Sequence, residues 1–247
     1  MQKITIIPLI LMFLSGCATS VGNNVDPWES WNRSVYDFNK SLDKNIAKPL
    51  ASGYKTVTPD AVELGFSNVF SNLNDAPTMV NNLLQGKVVA AMSDLSRLLI
   101  NSSFGLAGLW DPATRMGLEK HKEDFGQTLA VWGVESGPYV MLPLLGPSTL
   151  RDASAYAANP ESDWLENAEY IPNRKQLSHI RTRNQVKLLE LIGTRASLLK
   201  YDDLLKASQD EYTFVRDSYL QFRNYDISDG EISDDDDDCD EEDECYF

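Results

Sequence analysis

The side chains able to carry chemistry gather at the two ends of this chain. Near the start, Lys3 and the apolar run Ile4 to Leu14 lead into Leu14-Ser15-Gly16-Cys17. Small residues directly before a cysteine, behind an apolar stretch too short to span a bilayer, form a bacterial lipobox. The chemistry expected there is diacylglycerol on the Cys17 sulfur, cleavage before Cys17 and acylation of the new amine. The alternative is an ordinary signal peptide with a coincidental cysteine. At roughly 0.8 kcal/mol per buried CH₂, one acyl chain holds marginally and two or more hold stably. At the other end, Asp234 to Asp238 and Asp240 to Glu244 are unbroken acidic runs. They could collect Ca²⁺ or Mg²⁺ through carboxylate oxygens, or form a solvated, self-repelling tail. Cys239 and Cys245 lie in that tail, where an oxidising compartment lets them pair with each other or with another chain.

Between the ends the chemistry is sparse. There is no G-x-S-x-G nucleophile elbow, no GxGxxG and no Walker A motif. The histidines are His121, between lysines, and His179, in a charged stretch, and both read as surface residues. No cysteine lies between them, so a zinc site is disfavoured. The expectation is a protein that is not an enzyme and holds no metal or cofactor. The formal net charge is −15, but the 22 residues from Asp226 carry thirteen acids and no Lys or Arg, leaving −2 for the rest. With no basic stripe, nucleic acid is excluded as a partner.

The stretch that organises the remaining elements is Gly133 to Asp152. It has no charge between Glu135 and Arg151. Pro138, Pro143 and Pro147 forbid a regular helix, and Gly133, Gly137 and Gly146 permit turns. Either it crosses a buried core, or it is a stiff hairpin that faces or lines a lipid path. Around it, helical spacing dominates. Asp26-Pro27 suits a helix start, followed by Trp28, Trp31, Val35, Phe38 and Leu42 on one face, with Pro49 ending the helix. The two tryptophans read as core, with membrane-interface residues as the alternative. A second helix is expected from Asp60 to Leu73, a cap and restart at Asn74-Asp75-Ala76-Pro77, and a third helix ending at Gly86. Val88 to Ile100 is amphipathic, with Met92, Leu95, Leu98 and Leu99 on its apolar side. Thr149 to Ala158, Pro160 to Ala168, Gln176 to Leu199 and Asp202 to Phe222 complete the helices. The fold is expected to be mostly α-helical. Its divisions are a signal peptide (1–16), a lipidated tether (17–25), one domain (26–225) and the acidic tail (226–247).

In order along the chain, several blocks resemble the VacJ/MlaA family of outer-membrane lipoproteins. They are Asp26-Pro27-Trp28-Glu29 with Asn32-Arg33; Tyr36 with Phe38-Asn39; Asn82 with Leu83 to Gly86; Arg97, Asn101-Ser102 and Gly105; Gly108-Leu109, Asp111 and Ala113; and Phe125-Gly126 with Thr128-Leu129. The Gly137 to Asp152 block is the most specific, and Thr194-Arg195-Ala196, Tyr212, Val215-Arg216 and Tyr219 close the series. Ala130 departs from an expected glycine, and the acidic tail is outside the pattern.

The resemblance implies a ring of amphipathic helices lying in the membrane plane, on the periplasmic side of the outer membrane, around a polar-walled channel. It implies removal of mislocalised phospholipids from the outer leaflet and delivery to a soluble periplasmic lipid-binding carrier, with a trimeric porin as scaffold. On that basis Gly133, Gly137, Pro138, Tyr139, Pro143, Gly146 and Pro147 are expected to form a hairpin against the channel, with Phe38 and Asn39 holding the ring closed. The competing expectation is a structural envelope lipoprotein that braces porins without moving lipid.

Overall fold

The computed structural model describes residues 25–158 and 180–230. Cys17, His179, the helix expected over Pro160 to Ala168 and the tail beyond Gly230 lie outside them. In chain order the described elements are α1 (Glu29–Leu42), a π-helical turn (Asp43–Ala47), α2 (Lys48–Val57), α3 (Asp60–Leu84), α4 (Val88–Ser103), α5 (Pro112–Arg115) and α6 (Phe125–Val131). A hairpin, β1 (Tyr139–Leu142) and β2 (Gly146–Thr149), is followed by α7 (Leu150–Ala158) and α8 (Ile180–Leu198). A 3₁₀ turn (Leu199–Tyr201), α9 (Asp202–Ala207) and α10 (Glu211–Ile227) complete a mostly helical single domain. None of the described helices is long and apolar enough to cross a membrane.

Prolines act differently from expectation at two places. Pro49 does not end the first helical region. The Lys48 N–H reaches back to the Asp43 carbonyl across a π turn, and Pro49 falls in the first turn of α2, where its missing donor is not needed. Pro77 does not restart a helix either. It sits inside α3, which runs unbroken because buried Asp75, Thr78, Asn81 and Asn82 are held on both sides of it. Conversely, the single helix expected from Asp202 to Phe222 is two. The first ends at Ala207, where Ser208 turns extended, and Asp210 caps the second, its carboxylate accepting from the Tyr212 and Thr213 N–H groups.

The stretch forms a hairpin, and one of its strands enters the core. Tyr139 and Met141 of β1 are buried with Val35 and Tyr212 in the apolar core, while the loop residues Leu144 and Leu145 are exposed. The strands pair from Tyr139↔Thr149 to Leu142↔Gly146. Gly146, at φ +91°, takes a left-handed conformation that side chains resist. The free edge of β1 is covered by amides from α1, two helical turns apart. Asn32 donates to the Tyr139 carbonyl (3.2 Å) and accepts from the Met141 N–H (2.8 Å). Asn39 donates to the Leu142 carbonyl (2.9 Å) and accepts from the Leu144 N–H (2.8 Å). Each carboxamide thus stands in for a strand neighbour and removes an open edge. Asp26 is not the cap of α1. It is buried, accepts from Asn32 at 2.7 Å, and takes the Tyr212 hydroxyl on its other oxygen.

Candidate functional site

Away from the hairpin the usual sense of burial is reversed. On α4 the buried residues are Ala91, Asp94, Arg97 and Asn101, and on the second half of α3 they are Asn72, Asp75, Thr78, Asn81 and Asn82. Several large apolar residues of the same helices, including Phe66, Val80, Leu83, Val89, Met92 and Leu99, are exposed. Of the apolar side expected for α4, Met92 and Leu99 face outward, while Leu95 and Leu98 are half-buried. Trp28 and Trp31 are also exposed, so they are not core. Water-facing helices bury their apolar stripe; this reversal is the pattern of helices whose outer solvent is apolar.

The buried polar groups form one seam between α3 and α4. Arg97, 1% exposed, donates to Asp111 (2.8 Å), Thr114 (3.0 Å) and the Leu118 carbonyl (2.7 Å), and its Nε lies 3.7 Å from Asp75. Asn101 bridges Asp111 and the Ala113 N–H. Burial works against ionising Asp111, but hydrogen bonds from Thr114, Arg97 and Asn101 outweigh it and bring its carboxyl down to about 2. Burial pushes the Asp75 carboxyl up, opposed by Lys120 and Arg97. Asn82 donates to one oxygen of buried Asp94, and His121 Nδ1 lies 2.9 Å from the other. His121 is therefore not the free surface histidine expected.

Lys120 to Glu123 form a polar strap that lines two cavities. The first, about 660 Å³, is walled by α3, the strap and α8, with Thr78, Asn74, Gln127 and Glu190 among its lining. The second, about 1130 Å³, is walled by the start of α4, the strap and the end of α10. Lys120 is tied to Asp75, His121 to Asp94, and Glu123 to Lys87 and Gln85. The strap is thereby fixed to the seam beneath it.

A second polar cluster links the strap to the hairpin. Arg223 of α10 donates to both oxygens of Asp124 (2.6 and 2.8 Å) and both of Asp152 (2.9 Å each). Burial opposes ionisation of both aspartates, and Arg223 reverses this, holding them below the ordinary carboxylate range. Gly126 is required at this spot. A Cβ there would lie 2.5 Å from both Arg223 Nη2 and Asp152 Oδ1. Gly105 is equally confined, 2.3 Å from the Trp110 carbonyl oxygen.

The residues nominated from sequence are dispersed. Gly133 follows α6 at φ +87°, and Gly137, at φ +65°, faces Leu150. Tyr139 is fully buried; Pro143 is in the hairpin loop; Gly146 and Pro147 begin β2 and border an apolar cavity of about 680 Å³ with Met141 and Asn39. Phe38 is 52% exposed, while Asn39 clamps the hairpin loop. Among the described residues lining the two polar cavities, none comes from the hairpin. Sequence reading named Arg97 only as a motif residue and gave no role to Asp75, Asp94, Lys120 or Arg223. The available signal was that polar residues, as well as apolar ones, recur three and four apart along α3 and α4. Among the described residues no group of His, Cys, Asp and Glu is arranged to hold a metal ion.

Comparison with known proteins bears on this arrangement. The family model for the MlaA lipoprotein matches residues 24–226. The chain is 33% identical over 240 residues to the intermembrane phospholipid transport system lipoprotein MlaA of Shigella flexneri, covering 93% of this chain and 90% of that one. It is 41% identical over 204 residues to an uncharacterized protein of Rickettsia prowazekii, covering 80% and 76%. A solved structure, from work on the structural basis for maintenance of bacterial outer membrane lipid asymmetry, matches with a TM-score of 0.68 at 35% identity, covering 82% of this chain and 98% of that chain. A family match over most of the chain, joined to the motif residues now placed in the seam and the clamps, establishes that the chain belongs to the MlaA lipoprotein family.

Proposed function

We propose that this protein is an outer-membrane lipoprotein of intermembrane phospholipid transport. It takes mislocalised phospholipids from the outer leaflet and passes them, head group first along the two polar cavities, to a soluble periplasmic lipid-binding carrier. The observation that carries the reading is the reversed burial of α3 and α4, with charged and amide side chains inside and large apolar ones outside. Such helices suit a single leaflet, with acyl chains against the outer faces and head groups against the polar interior. The proposed anchor is acylated Cys17, which places the domain on the periplasmic side, and a trimeric porin is the proposed scaffold.

The physical need is large. Exposing roughly 30 chain CH₂ groups at about 0.8 kcal/mol each costs on the order of 25 kcal/mol. A lipid therefore requires a path that never leaves its chains wet, while the head group requires a path that never leaves it dry. The helices are proposed to close into a ring around that path. The hairpin residues Gly137, Pro138, Tyr139, Pro143, Gly146 and Pro147 would hold its width through Asp152, Arg223 and Asp124, and Asn39 would fix the hairpin to α1. Nothing in this route makes or breaks a covalent bond, so the role is that of a transport component.

The test is the phospholipid content of the outer leaflet in cells lacking the protein, with and without a copy truncated after Gly230. A rise reversed by the truncated copy supports retrograde removal by the domain alone. No rise overturns the transport reading and leaves porin bracing.

A further inference from the structure

The two polar cavities share five lining residues: Lys120, His121, Lys122, Glu123 and Asp226. Three are engaged: Lys120 with Asp75, His121 with Asp94, and Glu123 with Lys87. The other two, Lys122 on the strap and Asp226 in the last turn of α10, are exposed, and their side chains pair with no described residue. The wall that the two cavities share therefore presents one cation and one anion that no described side chain engages.

We propose that Lys122 and Asp226 read the lipid head group at this shared wall, Lys122 taking the phosphate and Asp226 the ammonium of a zwitterionic phospholipid such as phosphatidylethanolamine. The proposal rests on the reading of the cavities as a lipid route. Every phospholipid carries the phosphate, so Lys122 serves all of them. A charge-assisted contact to the phosphate oxygen is stronger than a neutral hydrogen bond, and Lys acts there as a mobile point charge. The ammonium distinguishes classes. Phosphatidylethanolamine meets opposite charge at both ends of its head group, whereas phosphatidylglycerol offers Asp226 only a neutral glycerol and leaves that carboxylate without a cation. Both side chains are exposed, so these contacts form in partly screened solvent and favour one head group modestly. Neighbouring Lys120 and His121 do not duplicate the role, because each is already engaged by a buried aspartate.

The experiment uses the full lipidated protein, purified from its membrane in a nonionic detergent. Co-purified phosphatidylethanolamine and phosphatidylglycerol are quantified by mass spectrometry against the composition of the source membrane. The wild-type protein is expected to be enriched in phosphatidylethanolamine. Asp226→Lys should move the ratio severalfold toward phosphatidylglycerol. Lys122→Glu should lower total bound phospholipid severalfold, with Lys122→Arg restoring it. Both positions are exposed, so neither change removes a contact on which folding depends. Lys44→Glu, a charge reversal outside both cavities, reports on lipid held around the protein and should leave the ratio unmoved. An unchanged ratio in Asp226→Lys with lipid still bound overturns the head-group site and spares the transport reading. An equal shift in Lys44→Glu also overturns the site, assigning the effect to net charge. Absence of phospholipid from the wild-type protein overturns both.

Discussion

The hairpin region and the α3–α4 seam have interiors of opposite content. Around the hairpin, Val35, Tyr139, Met141 and Tyr212 form a small apolar core, and polar groups close its edges. In the seam, Asp75, Asp94, Arg97 and Asn101 are the interior, and Val89, Met92 and Leu99 are the surface. The difference teaches that periodicity reports a two-sided helix but not which side faces inward. That choice belongs to the solvent, and this chain is read as having two solvents.

The comparison is tested most severely at Arg97. Arg97→Met keeps much of the side-chain volume and removes the cation facing Asp75 and Asp111. Breaking a buried ion pair in this way costs about 3–5 kcal/mol. Denaturant unfolding in detergent should show it, and Arg33→Met, at a pair whose side chains are 40% and 41% exposed, should change stability by less than about 1 kcal/mol. Equal losses would mean that the seam is no more an interior than the surface of α1.

In the hairpin region the corresponding weak point is polar. Asn32→Leu leaves Asp26, the Tyr139 carbonyl and the Met141 N–H short of a partner. A loss of about 2–3 kcal/mol is expected, since an unsatisfied buried group costs about 1–3. Asn39→Ala, at the partly exposed loop end, should cost about 1 kcal/mol and loosen the loop, seen as faster amide exchange at Leu144. If Asn32→Leu were the milder of the two, the apolar core would not depend on its clamp.

Acid acts on both regions by a smaller amount. The Asp111 carboxyl is held at about 2, below its ordinary 3.8. A depressed folded pKa contributes stability above the ordinary value and loses it as pH falls through the folded one, so seam stability should decline between about pH 4 and pH 2. Asp124 and Asp152, depressed by Arg223, act in the same direction below the usual carboxylate range. Asp75, raised by burial, acts oppositely: its contribution is present below 3.8 and declines as pH rises through its folded value. A net loss of about 1–2 kcal/mol on acidification is expected after allowance for solvent screening, measured as a lower Tm, and Asp111→Asn should flatten the profile. A flat wild-type profile would contradict the ionised seam.

How much of this was legible follows from the range of each interaction. The spans of α4 and α7 and the apolar face of α1 depend on neighbours within a few residues, and sequence spacing disclosed them, whereas the end of α1 and the choice of a hairpin over a plain core crossing did not follow from it. α3 continues through Pro77, where Asp75 is held by Lys120 from 45 residues away, and local rules stopped the helix too soon. Arg223 meets Asp124 and Asp152 across 99 and 71 residues, and no spacing rule joins them. Gly126 stood out as a motif residue, but its reason, the space taken by Arg223 and Asp152, exists only in three dimensions. The polar period of α3 and α4 was present in the sequence. It was hidden because a polar stripe is ordinarily taken as the wet face.

The smallest effect on stability bears most directly on that last point. Met92, Leu99 and Trp110 are 54%, 58% and 66% exposed. Changing all three to Gln removes apolar surface that contacts little protein, so the unfolding midpoint in detergent should move by less than about 0.5 kcal/mol per site. If these residues face acyl chains, each change forfeits about 1 kcal/mol of apolar burial in the leaflet. Flotation with phospholipid vesicles, using a chain begun at Ala18 so that no anchor contributes, should then show roughly a hundredfold weaker partition. Unchanged flotation would return those residues to water. The reversed burial of α4 would then need a protein surface, such as a porin wall, rather than lipid to cover it.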